Sequence, residues 1–206
     1  VNIGIGGSDL GPRMASEALS SFADSKVRVH YVSSLDSNEL AATLEQLDPA
    51  TTFFLVSSKS FSTEETLFNA RLAMEWIEQN RDTTQGTMPF AAITGNKEQA
   101  AALGVEQKLI FDVPDWIGGR YSLWSCSGLA LMIAIGVERF EQLLEGARLM
   151  DQHARETEFS QNMPAVLAAL EFWHASVLGY CSLAVVPYSY QLRLLPAYLQ
   201  QLVMES

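Results

Sequence analysis

Apolar and polar positions over the first 110 residues switch repeatedly between a strand period and a helix period. Residues 1–5 form a short apolar run that reads as a strand and ends at once in Gly6-Gly7-Ser8-Asp9. A helical pattern follows to about residue 22, with Pro12 near its first turn, where proline is tolerated. Residues 27–32 alternate as a strand does and run into the turn-rich Ser33-Ser34-Leu35-Asp36-Ser37. Asp36 or Ser37 can cap the next helix, which ends near Leu47 and is broken by Asp48-Pro49. Residues 51–56 are β-branched and aromatic and predict a central strand. The helix after the following loop extends to about Asn80, with Leu67, Ala70, Met74 and Ile77 on one apolar face. Residues 90–93 and 109–111 read as two more strands, separated by a short helix at about 97–103.

Five alternations of strand and helix predict an α/β fold: a doubly wound, five-stranded parallel sheet with helices on both faces. Beyond Arg120 the period turns helical, over residues 123–135, 140–156 and 165–177, before a strand at 183–186 and a helix from about residue 191. We therefore divide the chain into a first domain, residues 1–136, and a helical connector leading into a second α/β unit, residues 137–206. Val1 is not an initiator methionine and the chain opens directly on a strand, so the sequence reads as a piece of a longer protein.

Composition narrows the function. A net charge of -11 argues against nucleic acid, whose phosphates need a basic footprint. It also means that any phosphate site must rest on local dipoles and local cations. Cys126 and Cys181 lie in apolar company without CxxC spacing and read as buried free thiols of a reducing compartment. The longest apolar run, 129–137, is too short to span a bilayer and no secretory signal is visible, so a cytoplasmic protein with no membrane contact is expected. His30, His153 and His174 show no ligand spacing; structural roles and no bound metal are expected. Trp116, Trp124 and the aromatics of 170–177 read as core rather than as a cofactor box.

Ligands of parallel sheets bind beyond the carboxyl ends of the strands, and three unusual loops fall there. In Gly4-Ile5-Gly6-Gly7-Ser8-Asp9-Leu10-Gly11 the glycines allow close backbone approach to an anion, and the next helix presents its N-terminus. A dinucleotide fingerprint is the rival reading: it needs glycine where Asp9 stands, although Asp36 could mimic the ribose-binding acid. The second loop, Ser58-Lys59-Ser60-Phe61-Ser62-Thr63, places four hydroxyls in six residues beside a cation. Ser62 and Glu65 have capping-box spacing, so a helix should start where an anion docks, and hydroxyls with free amides suit a phosphate without a metal. The third loop carries Gly118-Gly119-Arg120, in which paired glycines can present a guanidinium to a cleft. Glu205, by spacing alone, is a carboxylate at a helix end.

Taken together, Gly4–Gly11, Ser58–Thr66 and Gly118–Ser125 resemble the glucose-6-phosphate isomerase family in order and spacing, and the ending Gln200-Gln201-Leu202-Val203-Met204-Glu205-Ser206 is similar to its Met-Glu-Ser segment. The resemblance implies a flavodoxin-like sugar isomerase (SIS) domain and reversible aldose–ketose isomerisation of a hexose 6-phosphate, with no cofactor. It implies Gly7 and Ser8 on the sugar side, with Ser58, Ser60 and Thr63 on the phosphate beside Lys59, Phe61 and Ser62. Gly119 would border the substrate, Arg120 would stabilise the enediolate, Gln201 would contact the substrate, and Glu205 would be the proton-shuttling base. Family members act as homodimers, and their ring-opening histidine and late lysine belong to sequence beyond residue 206. The 206-residue chain alone is therefore expected to be inactive. A sugar-phosphate sensor on the same fold is the non-catalytic alternative; it would need the phosphate loop but neither Arg120 nor Glu205.

Overall fold

A computed structural model describes residues 1–81 and 87–205. Five strands, β1 (Asn2–Ile3), β2 (Tyr31–Val32), β3 (Phe54–Ser57), β4 (Phe90–Thr94) and β5 (Ile110–Asp112), form one parallel sheet in the order β2-β1-β3-β4-β5. The strands are joined by α1 (Leu10–Ala18), α2 (Ser37–Leu44), α3 (Glu64–Asn80) and α4 (Lys97–Ala102). Every residue of β3 and β4 is buried, as an inner strand covered on both faces must be. Phe54 stacks on Phe90 at 4.7 Å and meets Trp76 edge-on, which fixes α3 over the sheet centre.

The two faces are covered by different helices. Leu40 of α2, Ala70, Ala73 and Ile77 of α3, and Ala100 of α4 pack with Ile3, Phe54, Val56 and Phe90. On the other side, Leu55, Ala91, Ile93 and Val113 meet Ala130 of α5 (Leu129–Ile135). A further cluster joins Ala15 of α1 to Leu131, Ala134 and Ile135 of α5 and Phe140 of α6 (Val137–Glu156). The expected doubly wound sheet is present. Because β2 and β3 leave β1 on opposite sides, the strand order reverses at the β1/β3 boundary, and a crevice opens beyond their carboxyl ends.

Several boundaries differ from the sequence pattern. The strand expected at 27–32 is only Tyr31–Val32. The helix expected at 165–177 is α7 (Met163–Phe172) followed by a π-turn, Trp173–Val177. Residues 183–186 are not a strand: among the described residues no other strand pairs with them, and an unpaired run of four residues has no ladder to hold it. The last helix, α8, spans Leu195–Met204 and buries Tyr198. Neither cysteine is fully buried: Cys126 is half-buried with its thiol directed at the Asp112 carbonyl, and Cys181 is exposed. The aromatic expectation also fails, since Trp116 is 83% exposed and Phe172 and Trp173 lie on the surface of α7 and its extension. Of the three histidines, His153 has hydrogen-bonded partners in the described residues, while the buried His30 Nε2 finds none. His153 accepts the Met163 amide through Nε2 and meets the Thr157 hydroxyl through Nδ1, closing the end of α6. No helix among the described residues is long and apolar enough to cross a membrane.

Candidate functional site

A cleft of about 890 Å³ opens at the carboxyl end of the sheet, and all three loops reach it. The first loop is shaped by close packing. Gly6 takes a left-handed backbone (φ 56°), and a Cβ on Gly7 would stand only 1.8 Å from the Gly119 carbonyl oxygen and 2.2 Å from its carbon. Gly7 is thus glycine because the turn bearing Gly119 and Arg120 lies directly on it. Asn2, buried in β1, holds the loop from below by donating to the Ser8 carbonyl at 3.2 Å.

Asp9 faces away from the cleft. Its carboxylate accepts from Arg13 Nε at 2.8 Å, and the same guanidinium donates to the Tyr31 carbonyl and the Ser33 hydroxyl. Burial raises the Asp9 carboxyl above its ordinary value, and the Arg13 charge and hydrogen bond oppose that rise. Asp36 accepts from Asn38 N at 3.0 Å and caps its own helix. Both acids relevant to a dinucleotide reading are therefore committed to structural partners.

The hydroxyl-rich loop lies against the start of α3. Ser58 and Thr63 exchange a hydrogen bond at 3.1 Å, and Ser62 donates to the Ser60 hydroxyl at 2.7 Å. Phe61 is the one non-glycine residue in the left-handed region among those described, at φ 52°, and its ring is 1% exposed among Phe54, Ala70 and Ile77. Burying that ring turns the chain back and leaves Ser60 and Ser62 exposed and Thr63 half-buried, while Ser58 is buried at the cleft floor. The expected Ser62–Glu65 capping box does not form. Thr63 is the N-cap and makes no side-chain cap bond, because the turn forced at Phe61 starts the helix one residue later. The first-turn amides of α3 have no intrahelical acceptor and no side-chain cap, so they remain available to an anion. Thr66, also on the cleft, is buried with no partner for its hydroxyl among the described residues.

The third loop begins after β5. A 3-10 turn, Gly119–Trp124, follows it and packs under α1. The Arg120 guanidinium lies 5.0 Å over the Tyr121 ring, and its buried Nε finds no hydrogen-bond partner among the described residues. From the far end of the chain, α8 reaches the first loop. Tyr198 packs where a Gly11 side chain would sit, and the Gln201 amide nitrogen lies 3.2 Å from the position of a Gly6 Cβ. Gln201 also donates to the Glu205 carboxylate at 2.9 Å, while its own oxygen is buried and unpartnered.

Of the residues picked from sequence, Gly7, Ser8, Ser58, Lys59, Ser60, Thr63 and Gly119 line this one cleft. Phe61, whose ring lies in the core, and Ser62, Arg120, Gln201 and Glu205 are not among its lining residues. Ser206, part of the expected Met-Glu-Ser segment, lies outside the described residues. Sequence reasoning missed Thr66 and the loop after β4, where Gly95, Asn96 and Lys97 close another side. The rule that ligands bind beyond strand carboxyl ends applied to that loop as well, and Asn96 there caps α4 by accepting from Gln99 N.

A family model described as phosphoglucose isomerase matches residues 1–206. Curated relatives include glucose-6-phosphate isomerases of Laribacter hongkongensis, 52% identical, and Chelativorans, 49% identical, each matched over all of this chain. The chain spans 37% and 38% of the length of those two relatives. Among solved structures, a glucose-6-phosphate isomerase from Chlamydia trachomatis superimposes with a TM-score of 0.88 at 33% identity, over 99% of this chain and 39% of that one. A hypothetical protein from Thermus thermophilus gives 0.79 at 31% identity, over 100% and 48%.

Proposed function

We propose that this chain, which belongs to the phosphoglucose isomerase family, forms part of an enzyme that interconverts D-glucose 6-phosphate and D-fructose 6-phosphate. The observation that carries the reading is the hydroxyl cradle: Ser58, Ser60 and Thr63 gathered at an uncapped α3 N-terminus, one wall of the cleft that Gly7, Ser8 and Gly119 line. A terminal phosphate there accepts from the hydroxyls and from the amides of residues 64–66 and leaves the sugar directed toward Gly7 and Ser8.

In this reading Glu205 removes the proton at C2 of the open-chain aldose. The C–H electron pair forms the C1–C2 double bond, and the carbonyl electrons move onto O1. Arg120 stabilises the resulting enediolate, and the O2 proton passes to O1. As Glu205 returns its proton to C1, the O2 electrons form the C2 carbonyl and the C1–C2 double bond becomes the new C–H bond, giving the ketose. Gln201 touches the substrate and, through its bond to Glu205, aims the carboxylate. Residues 1–136 form the sugar-phosphate-binding domain and 137–206 the connector and beginning of the second, in a cytoplasmic homodimer. What supports the assignment is the position of Gly7, Ser8, Ser58, Ser60, Thr63 and Gly119 on the cleft at the strand-order reversal, together with the family membership. Glu205→Gln in the full-length protein tests it. Isomerisation, followed by NMR, should fall by about 10²–10⁴-fold with sugar-phosphate binding retained; survival of activity would remove Glu205 as the base.

A further inference from the structure

Lys59 stands in the middle of the hydroxyl-rich loop, where a cation invites assignment to the phosphate. Its hydrogen bonds run elsewhere. The ammonium donates to the Asp115 carbonyl at 2.7 Å and to the Ile117 carbonyl at 3.1 Å, which engages two of its three donors. The Lys59 carbonyl in turn accepts from Gly95 N at 2.9 Å and from the Thr94 hydroxyl at 3.1 Å. One residue therefore ties together the loops that leave β3, β4 and β5. The packing at Gly95 shows how tightly they meet: a Cβ there would lie 3.2 Å from the Val113 oxygen and 3.4 Å from the Lys59 oxygen.

Besides Lys59, the loop is held at that point by Ile117, which packs against the Leu55–Ile93–Val113 cluster and donates its amide to the Pro114 carbonyl. Asp115 and Trp116 are exposed, and Ile117 is only half-buried. Directly after Ile117 come Gly118, Gly119 and Arg120. Gly119 rests on Gly7 at one end of this turn, and Lys59 holds the preceding residues at the other. Charge-assisted bonds from an ammonium to two carbonyls fix position without neutralising either partner.

We infer that Lys59 is a positioning residue: it clamps residues 115–117 and thereby sets where Arg120 stands relative to the phosphate cradle. Where its readout is catalysis, the inference rests on the isomerase reading. Where its readout is loop order, it does not. The test is Lys59→Met in the full-length protein, with hydrogen exchange of peptides covering 113–121, kcat and KM for glucose 6-phosphate, and the Kd for inorganic phosphate. Exchange of the Ile117 amide, which bonds the Pro114 carbonyl, and the Tyr121 amide, which bonds the Gly118 carbonyl, should rise by about tenfold or more. The kcat should fall about 10- to 100-fold while KM and Kd stay within about threefold, because a displaced catalytic group affects turnover before binding. Lys59→Arg, which keeps the positive charge and offers at least two N–H donors to the two carbonyls, should restore most of both. Unchanged exchange overturns the clamp whatever the kinetics show, and a raised KM and Kd with kcat preserved would make Lys59 a phosphate ligand instead. If the wild-type protein fails to isomerise at all, the function assignment falls, and the exchange measurement alone still decides the role of Lys59.

Discussion

Gly7→Ala adds a single methyl group where the structure leaves no room for one. The new carbon would sit 1.8 Å from the Gly119 oxygen, 2.2 Å from the Gly119 carbon and 2.8 Å from the Arg120 nitrogen. All three atoms are backbone, so no rotamer change relieves the clash. Restoring ordinary contact moves the turn, and with it Arg120, by roughly 1.5 Å. Such overpacking lowers stability by about 1–3 kcal/mol. With Arg120 in its proposed role at the enediolate, a displacement of that size should lower kcat by about 10²-fold. The cradle at Ser58–Thr63 belongs to a different loop, so affinity for a sugar phosphate should change by no more than about threefold. Chemical denaturation, steady-state kinetics and calorimetry on the full-length variant separate the three effects. Gly119→Ala is the stability control: the position of its Cβ is open, with no atom within 4 Å, and the fold should tolerate it. A Gly7→Ala protein with native stability and kcat within twofold would refute the claim that the turn is seated on Gly7.

Thr63→Val keeps the shape of the side chain and removes its hydroxyl. Because Thr63 makes no side-chain cap bond, the helix should be little affected, while the loss of one bond to a charged group should raise KM about 10- to 100-fold with kcat nearly constant. His30 supplies a pH dependence: burial, aided by neighbouring positive charge, lowers its pKa below the ordinary 6.5. The unfolded chain therefore binds a proton more readily than the folded one between the lowered value and 6.5, and stability rises with pH across that window. Denaturation midpoints should show this increase in the wild type and a smaller one in His30→Gln.

The sheet was legible in the sequence because its inner strands are continuous apolar runs and its helices carry one apolar stripe. Phe54, Val56, Phe90 and Ile93 could hardly serve elsewhere. The hydroxyl cluster at Ser58–Thr63 was legible for a similar reason: hydroxyls repeat densely in a turn between two buried elements. What escaped was set by contacts distant along the chain. Lys59 looks like an anion ligand until residues 56 positions away accept its ammonium. Phe61 looks like part of the ligand surface, yet the core claims its ring and delays the start of α3, which removes the Ser62 cap. Residues 183–186 have the composition of a buried strand, but composition does not supply a neighbour.

Hydroxyl groups rotate, and each can reverse from donor to acceptor. A phosphate monoester changes from one negative charge to two near pH 6, exchanging an O–H donor for another acceptor. A clamp of arginines would favour the more charged form and release the other. At Ser58, Ser60 and Thr63 the same three side chains can meet either form, by turning one hydroxyl to accept the phosphate's own proton. For a phosphate bound in the proposed cradle, the hydroxyls thus suit either form, and any preference for the more charged one rests with the α3 amides, which can only donate.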